Sequence, residues 1–203
     1  MSSRQSTKVQ WLVIAIILVG AGVFAWLRFG GTELDRLKSR AQAGDPEAQF
    51  QLGAYYSTEA LHLPSSGTDA AKEKARGELL EQAVNWFTKA ARQGHPEAQF
   101  RLAEIYEVGR GVQVDYGQSA HWFQEAANQG FAPAQQSLGM AFQFGEGLPK
   151  DYVEAYKWLQ LAAKSGDTNA PTSLSDLTGA MKPEQIAEAK KRASEFAPKM
   201  SKK

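Results

Sequence analysis

Residues 94–129 read GHPEAQFRLAEIYEVGRGVQVDYGQSAHWFQEAANQ, and this stretch decides the fold. Its opening glycine is followed by alanine, leucine and tyrosine at steps of four residues, and by Trp122 toward its end. The same types of residue recur after Gly130, and Gly94, Gly130 and Gly166 follow one another at intervals of 36 residues. A fixed period of this length is typical of stacked helical repeats, each of which packs on its neighbours.

Each copy contains the signals for two helices. Pro96 marks a helix start, and the steps of four residues place alanine, leucine and tyrosine on one face of that helix. The Gly-Arg-Gly sequence at 109–111 ends it, because glycine adopts the left-handed conformation that closes a helix. Asp115 then caps a second helix, whose paired alanines let neighbouring helices approach closely. The residues predicted to fill the layers between repeats are Trp86, Trp122 and Trp158.

An alanine–glutamine pair and a second glycine also recur at fixed places in the first helix of the copies. The pairs are Ala48-Gln49, Ala98-Gln99 and Ala134-Gln135, and the second glycine is Gly53 or Gly139, with Ala103 in the middle copy. This pattern resembles the Sel-like repeat family, close kin of the tetratricopeptide repeats, over residues 41–179. The resemblance implies an all-α, right-handed α-solenoid of antiparallel helix pairs that holds a protein or peptide partner and needs no cofactor.

The period and the composition between the glycines divide the chain into successive parts. These are a short tail at 1–8, a transmembrane helix at 9–29, a juxtamembrane linker at 30–40, repeat 1 at 41–93, repeat 2 at 94–129, repeat 3 at 130–165, a degenerate repeat 4 at 166–182, and a capping helix with its tail at 183–203. The last two parts are expected to close the solenoid, because their helices present one apolar and one polar face.

Repeat 1 is longer than the others. Gly44 precedes Gly94 by 50 residues, so repeat 1 contains 14 residues beyond the 36-residue period. Serine, proline and glycine near 64–67 indicate a loop, and a long helix is predicted to follow it. The extra residues are either a tolerated surface insertion or an element that contacts a partner.

The segment 11–27 reads WLVIAIILVGAGVFAWL and contains no charged residue. A helix of about 20 apolar residues spans the hydrocarbon core of a bilayer, and tryptophan at both ends suits the interface. We expect a retained single-pass anchor, with a cleaved signal peptide as the alternative. The flanking basic residues nearly balance, and the orientation expected in a bacterium puts the repeats on the periplasmic side of the inner membrane.

The composition limits the chemistry open to the chain. It contains no cysteine, which excludes disulfides and thiolate ligands, and its net charge of +1 gives no basic surface for nucleic acid. His62, His95 and His121 lack a second ligand at metal-binding spacing, and the Gly-x-Gly turns lack the lysine of a phosphate-binding loop. We therefore expect no catalytic, cofactor-binding or metal site; an envelope hydrolase acting on cell walls or β-lactams is the weaker alternative.

The first helices of such a solenoid line its concave side, and the positions beside their apolar stripe project toward a groove. The candidate protein-binding residues in this groove are Gln51, Arg101, Glu104, Ser137, Met140 and Phe144. A mixture of charged and apolar side chains suits a protein partner, although an ordinary solvated surface is the alternative for each residue. The sequence thus predicts a membrane-anchored interaction scaffold, and a self-associating structural membrane protein is a further alternative.

Overall fold

The computed structural model describes residues 33–63 and 70–199, and all regular elements in these ranges are α-helices. The first, α1, covers residues 33–42. The others are α2 Pro46–His62, α3 Ala70–Arg92, α4 Pro96–Val108, α5 Tyr116–Asn128, α6 Ala132–Phe144, α7 Tyr152–Lys164, α8 Ala170–Thr178 and α9 Pro183–Glu195. Successive helices pack on one another along the chain, so the predicted all-α solenoid of helix pairs is confirmed.

The predicted signals set the ends of the helices. In repeat 2, Pro96 is the first residue of α4, and Gly109 ends that helix in the left-handed conformation, at φ 74°. The carboxylate of Asp115 accepts a hydrogen bond from the backbone N–H of Gln118 and so caps α5. Asp151 caps α7 in the same way. These local rules repeat from copy to copy, which is why the helix boundaries could be predicted from the sequence.

The core is a series of apolar clusters, and each joins neighbouring helix pairs. Between α3 and α4, for example, Phe87 and the alanines of α3 pack against Ala98 and Leu102 of α4. The next cluster draws on α4, α5, α6 and α7, and another joins α7 to α8 and α9. The alanines keep the helix axes close, as the sequence predicted, while the larger residues fill the space between the layers.

The three tryptophans do not share one environment, contrary to the sequence prediction. Trp158 is 2% exposed and lies deep in a cluster, whereas Trp86 and Trp122 are only partly buried. The reason lies in the C-terminal segment, where Phe196 packs edge-on against Trp158 with ring centroids 5.3 Å apart. The backbone then continues to Lys199, whose N–H donates to the carbonyl oxygen of Asn128.

All 14 extra residues of repeat 1 are accounted for by helix rather than by loop. α2 has 17 residues against 13 in α4, and α3 has 23 against 13 in α5. The extra residues are therefore 59–62 at the end of α2 and 70–79 at the start of α3. The long helix is confirmed, and the predicted loop near 64–67 lies outside the described residues.

The structure corrects the linker predicted at 30–40, which is helical from residue 33 onward. The physical reason is an apolar face: Leu34 and Leu37 of α1 pack around a cluster that contains Ala41, Ala48 and Leu52. α1 therefore covers the open side of α2. The predicted anchor at 9–29 and the tail at 1–8 lie outside the described residues. Within the described ranges, the structure contains no helix with both the length and the apolar character of a membrane span.

Candidate functional site

A cleft of about 370 Å³ opens between the α2–α3 hairpin and α4, and we call it the repeat-1 cleft. Its walls come from both long helices of repeat 1 and from the first helix of repeat 2. The lining residues are Ala54, Ser57, Thr58, Leu61, Leu80, Ala83, Phe87, Arg101, Glu104, Ile105, Glu107, Val108 and Arg110. The floor is apolar and the rim is charged, an arrangement common in binding clefts.

The extra residues of repeat 1 build part of this cleft. Leu61 belongs to the four extra residues of α2, and it is 68% exposed. The turn after α4 packs closely on α3: a Cβ added at Gly111 would lie only 2.8 Å from Cβ of Leu80. The corresponding Gly147 rests in the same way on the start of α5 at Tyr116. In repeat 1, α3 has ten more residues, 70–79, on the N-terminal side of this contact, whereas α5 begins at the contact itself. The start of α3 therefore projects beyond the turn that follows α4.

The structure separates the six predicted groove residues. Arg101 and Glu104 both line the repeat-1 cleft and form an ion pair of 2.8 Å. Gln51 lines a different cleft, of about 520 Å³ between α1 and α2, and its Nε2 donates to Oε1 of Glu47 at 2.6 Å. The remaining three, Ser137, Met140 and Phe144, lie on α6 and line neither of these two clefts.

Four exposed apolar side chains lie in the C-terminal halves of the first helices of repeats 1, 2 and 3. We define the apolar row as Leu61, Val108, Met140 and Phe144, whose exposed fractions are 68%, 54%, 38% and 59%. Val108 and Phe144 hold the same position in repeats 2 and 3, so their periodic placement was available from the sequence. Leu61 extends the row into repeat 1 only because the insertion is helical, which the sequence did not indicate.

Three carboxylates accompany the apolar row, and nothing in the sequence indicates that they lie close together. Burial raises the pKa of Glu107, and the neighbouring charges of Glu146 and Glu104 raise it further. Glu104 has Arg101 as its partner, whereas the structure shows no side-chain hydrogen bond or ion pair for the carboxylates of Glu107 and Glu146 within the described ranges. Glu107 and Glu146 lie 39 residues apart in the chain, so only the stacking of repeats brings their charges together.

His95 acquires carboxylate partners that the sequence spacing did not reveal. Its Nε2 lies 3.0 Å from Oε2 of Glu47 in the preceding repeat, and its ring stacks on Phe50. Its Nδ1 accepts the N–H of Ala98 and so caps α4. The contact between His95 and Glu47 joins repeats 1 and 2. Among the described residues, no group of three or more potential metal ligands is positioned to hold an ion.

The sequence model of the Sel1 repeat matches residues 46–76, 80–95, 96–131 and 132–167, which together make up more than half of the chain. The chain belongs to the Sel1 repeat family. Sel1 repeats generally act in protein–protein interaction, and the family is typically a non-enzymatic scaffold. The gap between the first two matched segments falls at 77–79, within the extra turns of α3 that distinguish this member.

Two solved Sel1-type structures are similar to the chain. The Sel1 repeat protein from Oxalobacter formigenes is 35% identical, over 71% of this chain and 98% of its own, with a TM-score of 0.58. Protein c5321, a protective antigen present in uropathogenic Escherichia coli strains and displaying an SLR fold, is 26% identical. That match covers 83% of this chain and 41% of c5321, also with a TM-score of 0.58. No curated protein sequence matches the chain.

Proposed function

We propose that this protein is a membrane-anchored scaffold that binds a protein partner through the repeat-1 cleft and the apolar row. The observation that supports this most directly is that Leu61, one of the extra residues of repeat 1, lines the cleft together with Val108. A neutral insertion is expected to lengthen a loop, whereas the extra residues lengthen two helices beside exposed apolar side chains. Exposed apolar residues bordered by charges are typical of protein-binding surfaces.

The apolar row is large enough to contribute usefully to binding. Fully burying a leucine, valine or phenylalanine side chain gives about 1.5–3 kcal/mol. Because Leu61, Val108 and Phe144 are each more than half exposed, a partner that covers all three gains roughly 3–5 kcal/mol. Association costs free energy because the partners lose translational and rotational freedom. Contacts with the charged rim and the repeat-2 backbone must therefore supply further binding free energy. The row therefore suits the centre of an interface rather than the whole of it.

The anchor is proposed from the charge-free run at 11–27, with the repeats on the periplasmic side of a bacterial inner membrane. α1 begins by residue 33, so only a few residues separate the predicted anchor from α1, which packs on α2 of repeat 1. Such a short connection holds the repeats close to the bilayer and raises their effective concentration for membrane partners.

Carbonate extraction tests the anchoring, and topology reporters fused after Lys203 test on which side of the membrane the repeats lie. Extraction of the chain with peripheral proteins would contradict the anchor, and a reporter active in the cytoplasm would contradict the orientation.

Crosslinking in intact membranes, followed by mass spectrometry, tests the binding surface. Val108→Asp places a charge in the repeat-1 cleft, and we expect it to remove the crosslinked partner. Val114→Asp is the matched control, because Val114 is 52% exposed but does not line the cleft. Identical partners for both variants and the wild type would contradict the assignment. Crosslinks only between copies of the chain would favour the self-associating alternative.

A further inference from the structure

We propose that the segment bound in the repeat-1 cleft is cationic and amphipathic: a bulky apolar side chain enters the cleft, and a lysine or arginine within four residues of it pairs with Glu107 and Glu146. This inference rests on the proposed function, since it specifies the partner of the same surface. It is carried by the shape of the cleft together with the distribution of charge around it.

The cleft has the size and the lining for an apolar side chain. Its volume of about 370 Å³ lies at the lower end of the range for ligand clefts, which is about 300–1,000 Å³. The deepest lining residues, Ala83, Phe87 and Ile105, are buried and apolar, while Leu61 and Val108 stand exposed at its edge. One large apolar residue of a peptide, with part of a second, therefore fits this space without displacing a polar group.

The charges beside the cleft favour a cation from the partner. Arg101 and Glu104 already satisfy each other at 2.8 Å. Glu107 is partly buried, and the two charges that act on it, those of Glu146 and Glu104, are both negative. A partner cation placed there relieves this repulsion, whereas an added carboxylate increases it.

Arg110 is the one other charged residue that lines the cleft, and it could in principle receive an acidic partner. It is exposed, and the structure shows no ion pair between it and Glu107 in the described ranges. An exposed arginine is already well solvated, so pairing it contributes little. A partly buried carboxylate near other carboxylates is stabilised more by a new cation than an exposed arginine is by a new carboxylate. We therefore infer that the bound segment carries a positive charge.

Selection from phage-displayed random 12-residue peptides tests the inference with the full-length chain held in detergent micelles. We expect enriched peptides to combine leucine, phenylalanine or tryptophan with lysine or arginine within four residues, and to be poor in acidic residues. Enrichment of acidic or uncharged peptides would overturn the proposal, as would the absence of any enriched peptide. The selection also separates a basic ligand from an acidic one that pairs with Arg110.

Binding of one synthesised peptide from the selection then identifies the residues responsible. Glu107→Gln is expected to weaken its binding about tenfold, which corresponds to about 1.4 kcal/mol. The matched control is Glu125→Gln, an exposed glutamate on α5 outside the cleft, which should leave the dissociation constant unchanged. A peptide with its lysine replaced by glutamate should lose the dependence on Glu107.

The outcomes distinguish this inference from the proposed function. If Val108→Asp abolishes peptide binding while Glu107→Gln has no effect, the cleft binds protein but the inferred charge pairing is wrong. If Val108→Asp leaves both the peptide and the crosslinked partner in place, the cleft is not the binding surface and the proposed function itself fails. Both substitutions lie at solvent-accessible positions, and unchanged thermal unfolding confirms that each variant is folded.

Discussion

Gly53, Ala103 and Gly139 occupy one place in three successive repeats, where the first helix meets the second. The side chain that crosses this place is Phe87 in repeat 1 and Leu159 in repeat 3. A Cβ at Gly139 would lie 2.7 Å from Cγ of Leu159 and 3.1 Å from the carbonyl oxygen of Ala155. In the middle copy, Ala103 shares its core cluster with Phe123. A small residue, glycine or alanine, at this place therefore leaves room for the side chain that packs over it.

We predict that Gly139→Ala destabilises the protein by about 1–2 kcal/mol. Alanine gains about 1 kcal/mol in helix propensity, but overpacking against a backbone carbonyl costs about 1–3 kcal/mol, so the packing effect dominates. Gly77→Ala is the matched control, because no atom lies within 4 Å of the added Cβ on α3. That substitution should stabilise by about 0.5–1 kcal/mol. Chemical denaturation measures both values, and changes of the same sign would contradict the explanation.

The glutamine of each alanine–glutamine pair links three elements. Gln49, Gln99 and Gln135 are buried, and the Nε2 of each donates to the carbonyl oxygen of the residue eight positions earlier, in the last turn of the preceding helix. Their Oε1 atoms accept from the residue that precedes the next glycine of the period. The donors are Gln93, Gln129 and Ser165. Each buried amide thus gives a helix-end carbonyl a second donor, beside the backbone N–H of the following glycine, and links it to the next repeat.

Replacing Gln99 by leucine is expected to cost about 1–2 kcal/mol. The volume is nearly kept and the carbonyl of Ala91 still accepts the N–H of Gly94, but it loses its second donor, and the side-chain amide of Gln129 loses its acceptor. Gln82→Leu, at an exposed position of α3, should change stability by less than about 0.5 kcal/mol. Thermal unfolding compares the two variants. Equal melting temperatures would show that the buried amide is dispensable.

Residues that obey the period could be predicted from the sequence, whereas contacts between repeats could not. The helix caps and glycine turns depend on neighbours within a few positions, so they recur in every copy. The pairing of His95 with Glu47, and the approach of Glu107 to Glu146, depend on how one repeat is placed on the next. Neither residue type nor spacing encodes that placement, which is why the acidic side of the candidate site was missed.

The capping helix α9 is fastened to α7 by charge as well as by apolar contact. Arg192 Nη1 donates to Glu154 at 2.8 Å, and Lys157 donates to the same carboxylate at 2.9 Å. Burial by itself raises the pKa of Glu154, but these two hydrogen bonds outweigh it and hold the pKa below its ordinary value of 4.5. Glu154 is therefore more readily ionised in the folded protein than in the unfolded chain.

The sign of this shift fixes the pH dependence of Glu154→Gln. Because the pKa of Glu154 is lower in the folded protein than the value of 4.5 in the unfolded chain, the ionised side chain stabilises the folded protein at pH values above 4.5. This stabilisation is lost as the pH falls through the pKa that Glu154 has in the folded protein. We expect the variant to lose about 1 kcal/mol at neutral pH, with the difference from wild type disappearing in acid. Glu81→Gln, exposed on α3, is the control. A deficit that persists unchanged in acid would show that the lost contribution is not electrostatic.

At the level of elements, the insertion shows where sequence prediction succeeds and where it ends. The segment AAKEKARGELLEQ consists mostly of good helix formers, so the long α3 was predicted correctly. The extension of α2 was not, because it follows Ser57 and Thr58, which favour a helix only weakly. Packing stabilises this extension of α2 where helix propensity is weak, since Ala60, within the extension, is only 1% exposed. The cleft wall therefore depends on tertiary contacts.

The whole molecule is a series of neighbouring contacts without a single central core. Among the described helices, α2 packs extensively on α3 and α7 packs on α6, α8 and α9. Trp158 belongs to the cluster that α4, α5, α6, α7 and α9 share, whereas Trp122 touches this cluster and also the one between α3 and α4. In such an array stability is the sum of local terms, so a substitution in one repeat is felt mainly by its neighbours.

Trp158→Ala is therefore predicted to unfold the C-terminal part of the solenoid before the rest. Truncating a fully buried tryptophan costs about 3–5 kcal/mol, and that cost falls on α6 to α9. Native-state hydrogen exchange should show lost protection in peptides from 153–164, while those from 47–62 remain protected. Trp122→Ala, with its smaller buried area but contacts to both clusters, should instead lower protection on both sides of repeat 2. Equal loss along the described helices for Trp158→Ala would mean that the repeats unfold as one cooperative unit.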